Sequence, residues 1–267
     1  MLASLYFSFT DFDLFTEPTF IGFDNYIALF QDDRFAKSMT VTLTYVFLAV
    51  PVKLALSLAV AMLLARPRRG EGIFRAAFYL PSLLGASVAV ALVWRLLFSR
   101  GGVADAGLSS IGLTDVGMID NPSYALYYVI LLAVWQFGAP MVIFLAGIKQ
   151  ISPDLYDAAS LDGAGSWRKF ISITLPMLSP VIFFNLILEL INAFQAFTSA
   201  YVISGGTGGP NDSTLIFTVY LYEQAFTRFD MGYASAMAWV VLLGIGVITM
   251  LLFLSSKKWV HYASESS

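Results

Sequence analysis

The feature that most constrains this chain is a series of apolar runs, each long enough to cross a lipid bilayer. A helix needs about 20 apolar residues to span the hydrocarbon core. Four such runs are present, at 38–65, 74–98, 123–148 and 232–256. A fifth, at 175–203, carries four polar side chains: Asn185, Glu189, Asn192 and Gln195. These runs predict an all-α membrane protein.

Composition supports the membrane assignment and excludes several kinds of chemistry. Hydrophobic residues make up 58% of the chain and charged residues 12%, about half the charged share of an average soluble domain. Cysteine is absent, which excludes a disulfide framework and any cysteine-ligated metal. The single histidine, His261, lies near the C-terminus, so a histidine cluster for zinc binding or general-base catalysis is also excluded.

The distribution of charge predicts the topology. Basic residues accumulate on the cytoplasmic side of membrane proteins. They occupy three connections: Arg66, Arg68, Arg69 and Arg75, then Lys149, Arg168 and Lys169, then Lys257 and Lys258. The alternate connections are acidic: Asp11, Asp13, Glu17, Asp24, Asp32 and Asp33, then Asp105, Asp115 and Asp120, then Asp212, Glu223 and Asp230. We expect six helices with both ends inside, the first being an incomplete helix whose outer end is residues 1–9.

The outer connections have patterns of their own. Apolar residues at helical spacing in 21–35 predict a helix along the membrane interface. The loop 204–213 is rich in glycine but has no lysine and follows no strand, so it is not a phosphate-binding loop. The segment 214–226 is apolar enough for an interfacial or partly re-entrant helix. No repeat of half-transporter size is present, which weakens an inverted-repeat secondary transporter.

A polar segment, ISPDLYDAASLDGAGSWRKFISITLPMLSP (151–180), interrupts the apolar runs. Ser152 can cap a helix over 153–162 that begins with Pro153. Gly163 and Gly165 would end that helix, and Ser166 can cap a second one. Pro176 and Pro180 fall in the first turns of the next spanning helix. The sequence therefore predicts two short helices joined by a glycine turn at the cytoplasmic surface.

Two interpretations of this segment are open. It could be an amphipathic connector lying on lipid, since such helices are common. Alternatively, it could dock against another protein, because the first helix has a small apolar face at Ala158 and Ala159. Its carboxylates, Asp154, Asp157 and Asp162, would be repelled by anionic lipids, so a protein partner fits better.

The segment also resembles the signature loop of permease subunits in binding-protein-dependent ABC importers. That pattern is Glu-Ala-Ala, three residues, Gly, nine residues, then Ile-x-Leu-Pro. Here Asp157-Ala158-Ala159 is followed by Gly163 and by Ile173-Thr174-Leu175-Pro176, with both spacings kept and aspartate in place of glutamate. Other stretches, such as FIGFDNYIALF, FRAAFYLPSLL and FDMGYASAMAWVV, are similar to the maltose and glycerol-phosphate branch.

The resemblance implies a type I ABC importer permease core of six helices, the first incomplete in this chain. It implies one permease domain over 1–267, with a cytoplasmic coupling segment at 150–172, in the bacterial cytoplasmic (inner) membrane. The implied coupling residues are Asp157, Ala158, Ala159, Asp162, Gly163, Leu175 and Pro176. The implied partners are a second homologous permease, two cytoplasmic ATPases that bind ATP and magnesium, an extracytoplasmic binding protein, a sugar or oligosaccharide and membrane lipid. No cofactor in this chain, no catalysis and no nucleic acid are expected.

Polar side chains in the fifth run could line the transport path. Asn185, Glu189, Asn192 and Gln195 share one helical face, which must point at protein or water. They could be interhelical hydrogen-bonding groups or substrate contacts, and Phe194 and Phe197 lie beside them. The resemblance favours sugar contacts at Asn192 and Gln195. Glu189 is either ion-paired or in a wet cavity. Gln136 and Ser82 are weaker candidates on neighbouring helices, and Lys53 either pairs with an acid or extends to the interface.

Two other function classes compete with an importer subunit. A stand-alone secondary transporter or channel for a polar solute would not need a cytoplasmic docking segment. An intramembrane enzyme would need a histidine, a cysteine or a close carboxylate pair inside the membrane, and Glu189 stands alone there. No Gly-x-x-x-x-Gly-Lys-Ser/Thr motif is present, so ATP hydrolysis is expected in a partner.

Overall fold

The computed structural model describes residues 1–65, 70–85, 87–110 and 119–261, except for the side chains of residues 105, 108 and 109. Arg66, Arg68, Arg69 and Asp115, used above to predict topology, lie outside the described residues, as does the side chain of Asp105. Within these ranges the chain is all-α, as predicted. An isolated antiparallel bridge between Thr10 and Phe20 is its β-type pairing.

Within the described ranges, two helices are long and apolar enough to cross a membrane unbroken. They are α3 (Asp33–Leu64) and α15 (Met231–Trp259). The other helices are α1 (Leu2–Phe7), α2 (Asp24–Gln31), α4 (Glu71–Leu84), α5 (Val88–Phe98), α6 (Val103–Ser110), α7 (Ala125–Trp135), α8 (Gly138–Lys149), α9 (Pro153–Leu161), α10 (Ser166–Lys169), α11 (Leu175–Met177), α12 (Ser179–Phe194), α13 (Thr198–Ser204) and α14 (Phe217–Tyr222). Single π-helical turns occupy Phe170–Thr174 and Glu223–Thr227.

Three of the five predicted full-length spans are bent rather than continuous. The pairs α4 and α5, α7 and α8, and the 166–177 helical stretch with α12 each qualify as one broken span, which brings the possible spans among the described residues to five. The segments at 74–98 and 123–148 were predicted as single helices, and the structure corrects this. The positions of the predicted spans are otherwise confirmed.

Pro140 explains the break between α7 and α8. A proline inside a helix cannot donate to the carbonyl four residues earlier and clashes with it. That carbonyl belongs to Gln136, and it accepts a hydrogen bond from the Ser82 hydroxyl at 3.1 Å. The same hydroxyl accepts from the Ala139 amide at 2.9 Å. One side chain therefore satisfies backbone groups on both sides of the break.

The predicted helix over 175–203 is interrupted twice. A bend of 66° separates the 166–177 stretch from α12, and α12 ends at Phe194, before α13 begins at Thr198. No proline or glycine marks this second break in the sequence. The Thr218 hydroxyl donates a short hydrogen bond to the carbonyl of Ala196. A side chain distant in sequence thus satisfies backbone that a continuous helix would have satisfied itself.

The chain divides into two compact units. The first comprises Met1–Ala49, Ala86–Leu132 and Asn192–Ile248, with a core that includes the fully buried Leu29, Leu132 and Leu215. The second comprises Val50–Gly85, Ala133–Ile191 and Thr249–Ser267, with Met141, Phe144 and Leu178 at its core. A single permease domain over the whole chain stays a prediction.

The two apolar outer segments differ in burial. The predicted helix over 21–35 is shorter than expected, because α2 covers Asp24–Gln31 and α3 begins at Asp33. Phe23, just before α2, and Ile27 and Phe30 within it are exposed, whereas Leu29 is buried. The segment 214–226 contains α14 and a π-helical turn. Its Leu215, Val219 and Tyr220 side chains are buried in the first unit, and an interfacial or partly re-entrant position stays a prediction.

Candidate functional site

The coupling segment begins with a helix whose two ends are stabilised as its sequence predicts. The Ser152 hydroxyl accepts a hydrogen bond from the Asp154 amide at 3.3 Å, and Pro153 occupies the first helical position of α9. At the other end, the Gly163 amide donates to the Ser160 carbonyl. The next amide, of Ala164, donates to the Ala159 carbonyl at 2.9 Å. These two bonds form a Schellman motif.

Gly163 is the residue that this motif requires. Its φ is +75°, a left-handed conformation that costs other residues about 1–2 kcal/mol. A Cβ atom there would meet nothing within 4 Å, so the requirement is for backbone conformation and not for space. Gly165 has a φ of −69°, which any residue can adopt. The predicted glycine turn therefore depends on one of its two glycines.

The second half of the segment differs from the prediction. The residue that precedes α10 is Gly165, and Ser166 is the first helical residue rather than its cap. The helix then continues as the π-helical turn Phe170–Thr174. Such turns are rare, and those that do occur are often at functional sites. The hydroxyls of Tyr156 and Thr174 lie 2.9 Å apart in a hydrogen bond, which ties α9 to this turn.

The coupling segment exposes large apolar side chains that the sequence analysis overlooked. Leu161 is 90% exposed and Trp167 is 73% exposed. Asp157 and Asp162 are also exposed, and neither forms an ion pair with a described residue. The small face at Ala158 and Ala159 is therefore only part of the surface. Large apolar residues at positions 161 and 167, on either side of the glycine turn, could have indicated this exposed surface from the sequence.

The remaining two predicted coupling residues lie apart from this exposed surface. Leu175 and Pro176 form α11, at the point where the segment joins α12. Both line a cavity that α3 also lines, at Leu54, Ala55 and Leu58. Their position connects the coupling segment to a spanning helix.

The predicted polar face is divided between the two units. Asn185 is buried with 1% exposure, and its amide nitrogen has no hydrogen-bond partner among the described residues. Asn192 is exposed near the end of α12. Gln195 is exposed in the turn after the helix, so the expectation that all four residues share one helix is corrected. Neither Asn192 nor Gln195 forms a side-chain hydrogen bond within the described residues.

Glu189 is ion-paired within the chain. Its carboxylate lies 2.8 Å from the Lys53 ammonium, and the two side chains are 10% and 15% exposed. The sequence left open whether Glu189 and Lys53 are each ion-paired, and in the structure they pair with each other. The pair joins α3 to α12 in the second unit. A substrate contact by Glu189 stays a prediction.

Ser82 and Gln136 are brought together, but they bond to the backbone. The Ser82 hydroxyl bridges the break between α7 and α8, and the Gln136 side-chain amide donates to the Gly85 carbonyl at 3.2 Å. A Cβ atom on Gly85 would lie within 2.4 Å of three Gln136 side-chain atoms. These contacts fix the packing of α4 on α8, and a substrate role for the two residues stays a prediction.

An aromatic cluster lies in the first unit, directly after Asn192 and Gln195 in sequence. The ring centroid of Phe197 lies 5.1 Å from that of Tyr201 and 5.2 Å from that of Tyr222, in tilted arrangements, and the Tyr222 centroid lies 5.0 Å from that of Phe226. Only Phe197 was considered from the sequence. The tyrosines are 21 residues apart, so their meeting could not be inferred from helical spacing.

A second group of residues, the outer charge cluster, was also missed. Arg34 donates two hydrogen bonds to the Asp212 carboxylate, at 2.9 and 3.0 Å, and one to Glu223 at 2.8 Å. Arg228 also pairs with Glu223, at 3.0 Å. These bonds hold the glycine-rich loop 204–213 against the start of α3. Part of the predicted acidic outer surface is therefore neutralised by arginine.

Asp32 extends the outer charge cluster through tyrosines. Its carboxylate accepts hydrogen bonds from the Tyr220 hydroxyl at 2.5 Å and the Tyr233 hydroxyl at 2.7 Å. Partial burial raises the pKa of Asp32, but these two bonds and backbone donors outweigh burial and hold that pKa below its usual value. Asp32 therefore stays ionised at neutral pH.

Comparisons with known proteins agree with this geometry. The profile of the family described as "Binding-protein-dependent transport system inner membrane component" matches residues 26–261. The chain is 50% identical over 267 residues to the probable ABC transporter permease protein YesP of Bacillus subtilis, covering 99% of this chain and 86% of YesP. It is 32% identical over 245 residues to the lactose transport system permease protein LacF of Rhizobium radiobacter, covering 90% of this chain and 82% of LacF.

A solved structure shows the same fold. The chain superposes on a crystal structure of a bacterial ABC transporter involved in the import of alginate, with a TM-score of 0.81 and 23% identity. The superposition covers 96% of this chain and 88% of that one. The predicted type I ABC importer permease fold is confirmed by this likeness.

Proposed function

Because this chain belongs to the family of inner membrane components of binding-protein-dependent transport systems, we propose that it carries a sugar or oligosaccharide across the membrane as one permease of an ATP-driven importer. The proposed assembly contains a second homologous permease, two cytoplasmic ATPases and an extracytoplasmic binding protein. The ATPases bind and hydrolyse ATP with magnesium, and this chain receives mechanical work from them.

The observation that supports ATPase docking is the unsatisfied surface of the coupling segment. Burying an exposed leucine stabilises a complex by about 1.5–3 kcal/mol, and Leu161 is 90% exposed at the tip of α9. The carboxylates of Asp157 and Asp162 beside it have no partner among the described residues. A partner groove with basic residues and an apolar floor would satisfy both features, and a rigid capped helix can transmit motion as a body.

The surface around Asn192 and Gln195 supports a sugar as the transported solute. Amides can donate to and accept from hydroxyl groups, and both side chains are exposed without a partner among the described residues. The aromatic cluster at Phe197, Tyr201 and Tyr222 offers apolar ring faces nearby in the same unit. The relative LacF is named for lactose transport, which agrees with a carbohydrate substrate here. Asn185 and Glu189 are buried, and a substrate contact by either stays a prediction.

Uptake into proteoliposomes tests the substrate proposal. We expect Asn192→Leu and Gln195→Leu to assemble with the copurifying subunits and to lower sugar uptake about tenfold, the effect of losing one hydrogen bond of ~1.4 kcal/mol in the transport step. Basal ATPase activity should be unchanged. Gln31→Leu, which alters an exposed amide at the end of α2, is the matched control. Normal uptake and normal sugar concentration dependence in both variants would show that this surface does not contact substrate.

The energy source distinguishes an importer from a stand-alone transporter or channel. Vesicles that contain ATP but have no ion gradient should take up sugar when the binding protein is present. Uptake that follows an imposed gradient and ignores ATP would contradict the proposed assembly.

A further inference from the structure

The second unit contains an apolar cavity beside the exit of the coupling segment. Its volume is about 450 Å³, within the roughly 300–1,000 Å³ range of sites that bury small ligands. Ala55 and Leu58 of α3, Phe144 of α8, Ile182 of α12 and Trp259 of α15 form much of its wall. No residue in that set carries a charge.

Two polar side chains, those of Ser179 and His261, line the cavity, and the hydroxyl of Ser179 is already satisfied. The Ser179 hydroxyl donates to the Pro176 carbonyl at 2.6 Å and accepts a hydrogen bond from the His261 amide at 2.9 Å. Because this hydroxyl is engaged on both sides, the cavity offers little to a polar solute or to water, which needs two to four polar partners. An apolar occupant fits the cavity, and a sugar does not.

The end of the helix that reaches the cavity is basic. Lys257 and Lys258 lie in the last turn of α15, directly before the cavity-lining Trp259 in sequence, and both are exposed. Neither forms an ion pair with a described residue, in contrast to Lys53 and Lys149 of the same unit, which pair with Glu189 and Glu71. The two ammonium groups therefore remain available to an anion at this end of α15.

The cavity also lies at the depth where such a ligand is found. The positive-inside rule places the end of α15 at the cytoplasmic surface. Tryptophan is enriched at the level of lipid headgroups, and Trp259 lines the cavity. The cytoplasmic leaflet carries anionic lipids that attract lysines next to the membrane. An apolar wall, two lysines in the adjacent helical turn and an interfacial tryptophan together match one ligand.

We propose that this cavity binds one acyl chain of an anionic phospholipid of the cytoplasmic leaflet, with the headgroup held by Lys257 and Lys258. The bound chain fills the space between α3 and the Leu175–Pro176 corner. It therefore supports the joint through which the coupling segment meets the spanning helices. This inference concerns a lipid and does not depend on which solute is transported.

Photo-crosslinking identifies the occupant directly. The complex carrying p-benzoylphenylalanine in place of Trp259, an aromatic side chain that already lines the cavity, is purified from bacterial membranes with its copurifying subunits. It is then placed in nanodiscs containing equal amounts of phosphatidylglycerol and phosphatidylcholine. After irradiation, mass spectrometry should show an adduct with the mass of phosphatidylglycerol. An adduct to a partner subunit or to the C-terminal residues of this chain would show that protein fills the cavity and would overturn the proposal.

Two sets of variants separate the acyl chain from the headgroup. Ala55→Phe fills the cavity and should remove one tightly retained phospholipid from the complex in native mass spectrometry. Ala59→Phe, the same change at an exposed alanine one turn along α3 and outside the cavity wall, should not. Unchanged lipid retention in Ala55→Phe would overturn the proposal.

The headgroup test uses Lys257→Gln and Lys258→Gln. The preference for phosphatidylglycerol over phosphatidylcholine should fall about fivefold for each lysine removed, while the total number of retained lipids stays the same. Equal binding of the two phospholipids by the unmodified complex would contradict an anionic ligand.

Discussion

The outer charge cluster and the coupling segment differ in how far their side chains are paired within the chain. In the outer charge cluster Arg34 forms three hydrogen bonds to two carboxylates, and Asp32 accepts from two tyrosines. The coupling segment exposes Leu161 and Trp167 and leaves Asp157 without a partner among the described residues. One region pairs its charges within the chain, and the other leaves apolar and charged side chains uncovered.

From this difference we expect the outer charge cluster to keep its structure in the isolated chain, and the coupling segment to gain stability from a partner. A network whose charges are paired holds its loops in one arrangement regardless of what surrounds it. An exposed apolar tip is stabilised only when another protein covers it. Substitutions in paired networks should therefore destabilise the chain, whereas substitutions in the coupling segment should affect transport and leave the chain folded.

The Lys53–Glu189 pair is the most buried example of the paired class and should show the largest effect. Glu189→Leu or Glu189→Gln leaves an unpaired ammonium inside the membrane, at a cost of about 3–5 kcal/mol. We expect loss of assembly, measured by copurification of partner subunits. The double variant Lys53→Leu, Glu189→Leu removes both charges and should recover assembly. If Glu189→Gln alone assembles normally, the pair does not stabilise the chain.

Arg34→Met should have the next largest effect. It leaves Asp212 and Glu223 without their shared cation, and we expect a loss of about 2 kcal/mol of unfolding free energy after allowance for partial exposure. The change is measured by urea unfolding in detergent micelles. Arg228→Met is the matched control, because Arg228 is 53% exposed and makes one contact to Glu223. Equal effects of the two changes would mean that Arg34 does not organise the outer charge cluster.

Gly163→Ala tests the turn geometry of the coupling segment. Forcing alanine into a φ of +75° should cost about 1 kcal/mol locally and should reduce transport and stimulated ATPase activity together. Gly165→Ala places the same methyl group at a φ of −69° and should behave like the unmodified protein. Membrane insertion, assayed by fractionation, should be normal in both. Normal transport by Gly163→Ala would show that the turn geometry is dispensable.

The smallest expected effect is the acid response of Asp32. Because the pKa of Asp32 is lower in the folded chain, its contribution to stability is present above the unfolded pKa of about 3.9 and is lost as pH falls through the folded value. Asp32→Asn should therefore lower stability at pH 7 and make it less dependent on pH below about 4. Parallel stability profiles for the two proteins would contradict this assignment.

Much of the fold could be predicted because the length of an apolar run and the cap of a helix depend on residues that are consecutive in the sequence. The runs that became α3 and α15, the Ser152 cap and the left-handed turn at Gly163 all follow from neighbours in sequence. The break near Pro140 also has a local signal, since proline frees the carbonyl of Gln136, although a single helix was predicted there.

The contacts between distant residues could not be predicted in the same way. Arg34 meets Asp212 and Glu223 across 178 and 189 positions, and no local pattern selects those partners among the many outer carboxylates. The end of α12 at Phe194 depends on a hydroxyl from Thr218. For Lys53 and Glu189, the cost of burying either charge alone predicted that each needs a partner, but identifying the partner required the fold.

We propose that a cytoplasmic ATPase covers the coupling segment, and site-directed crosslinking from Ala159 identifies what lies against it. Ala159 lies on α9, two residues before the exposed Leu161. A photoreactive residue at position 159, activated in intact membranes, is predicted to crosslink to a nucleotide-binding subunit. That adduct should weaken when Leu161 is changed to Ser, which leaves α9 folded. Crosslinks only to lipid or to spanning helices of this chain and its homologous partner would contradict the claim.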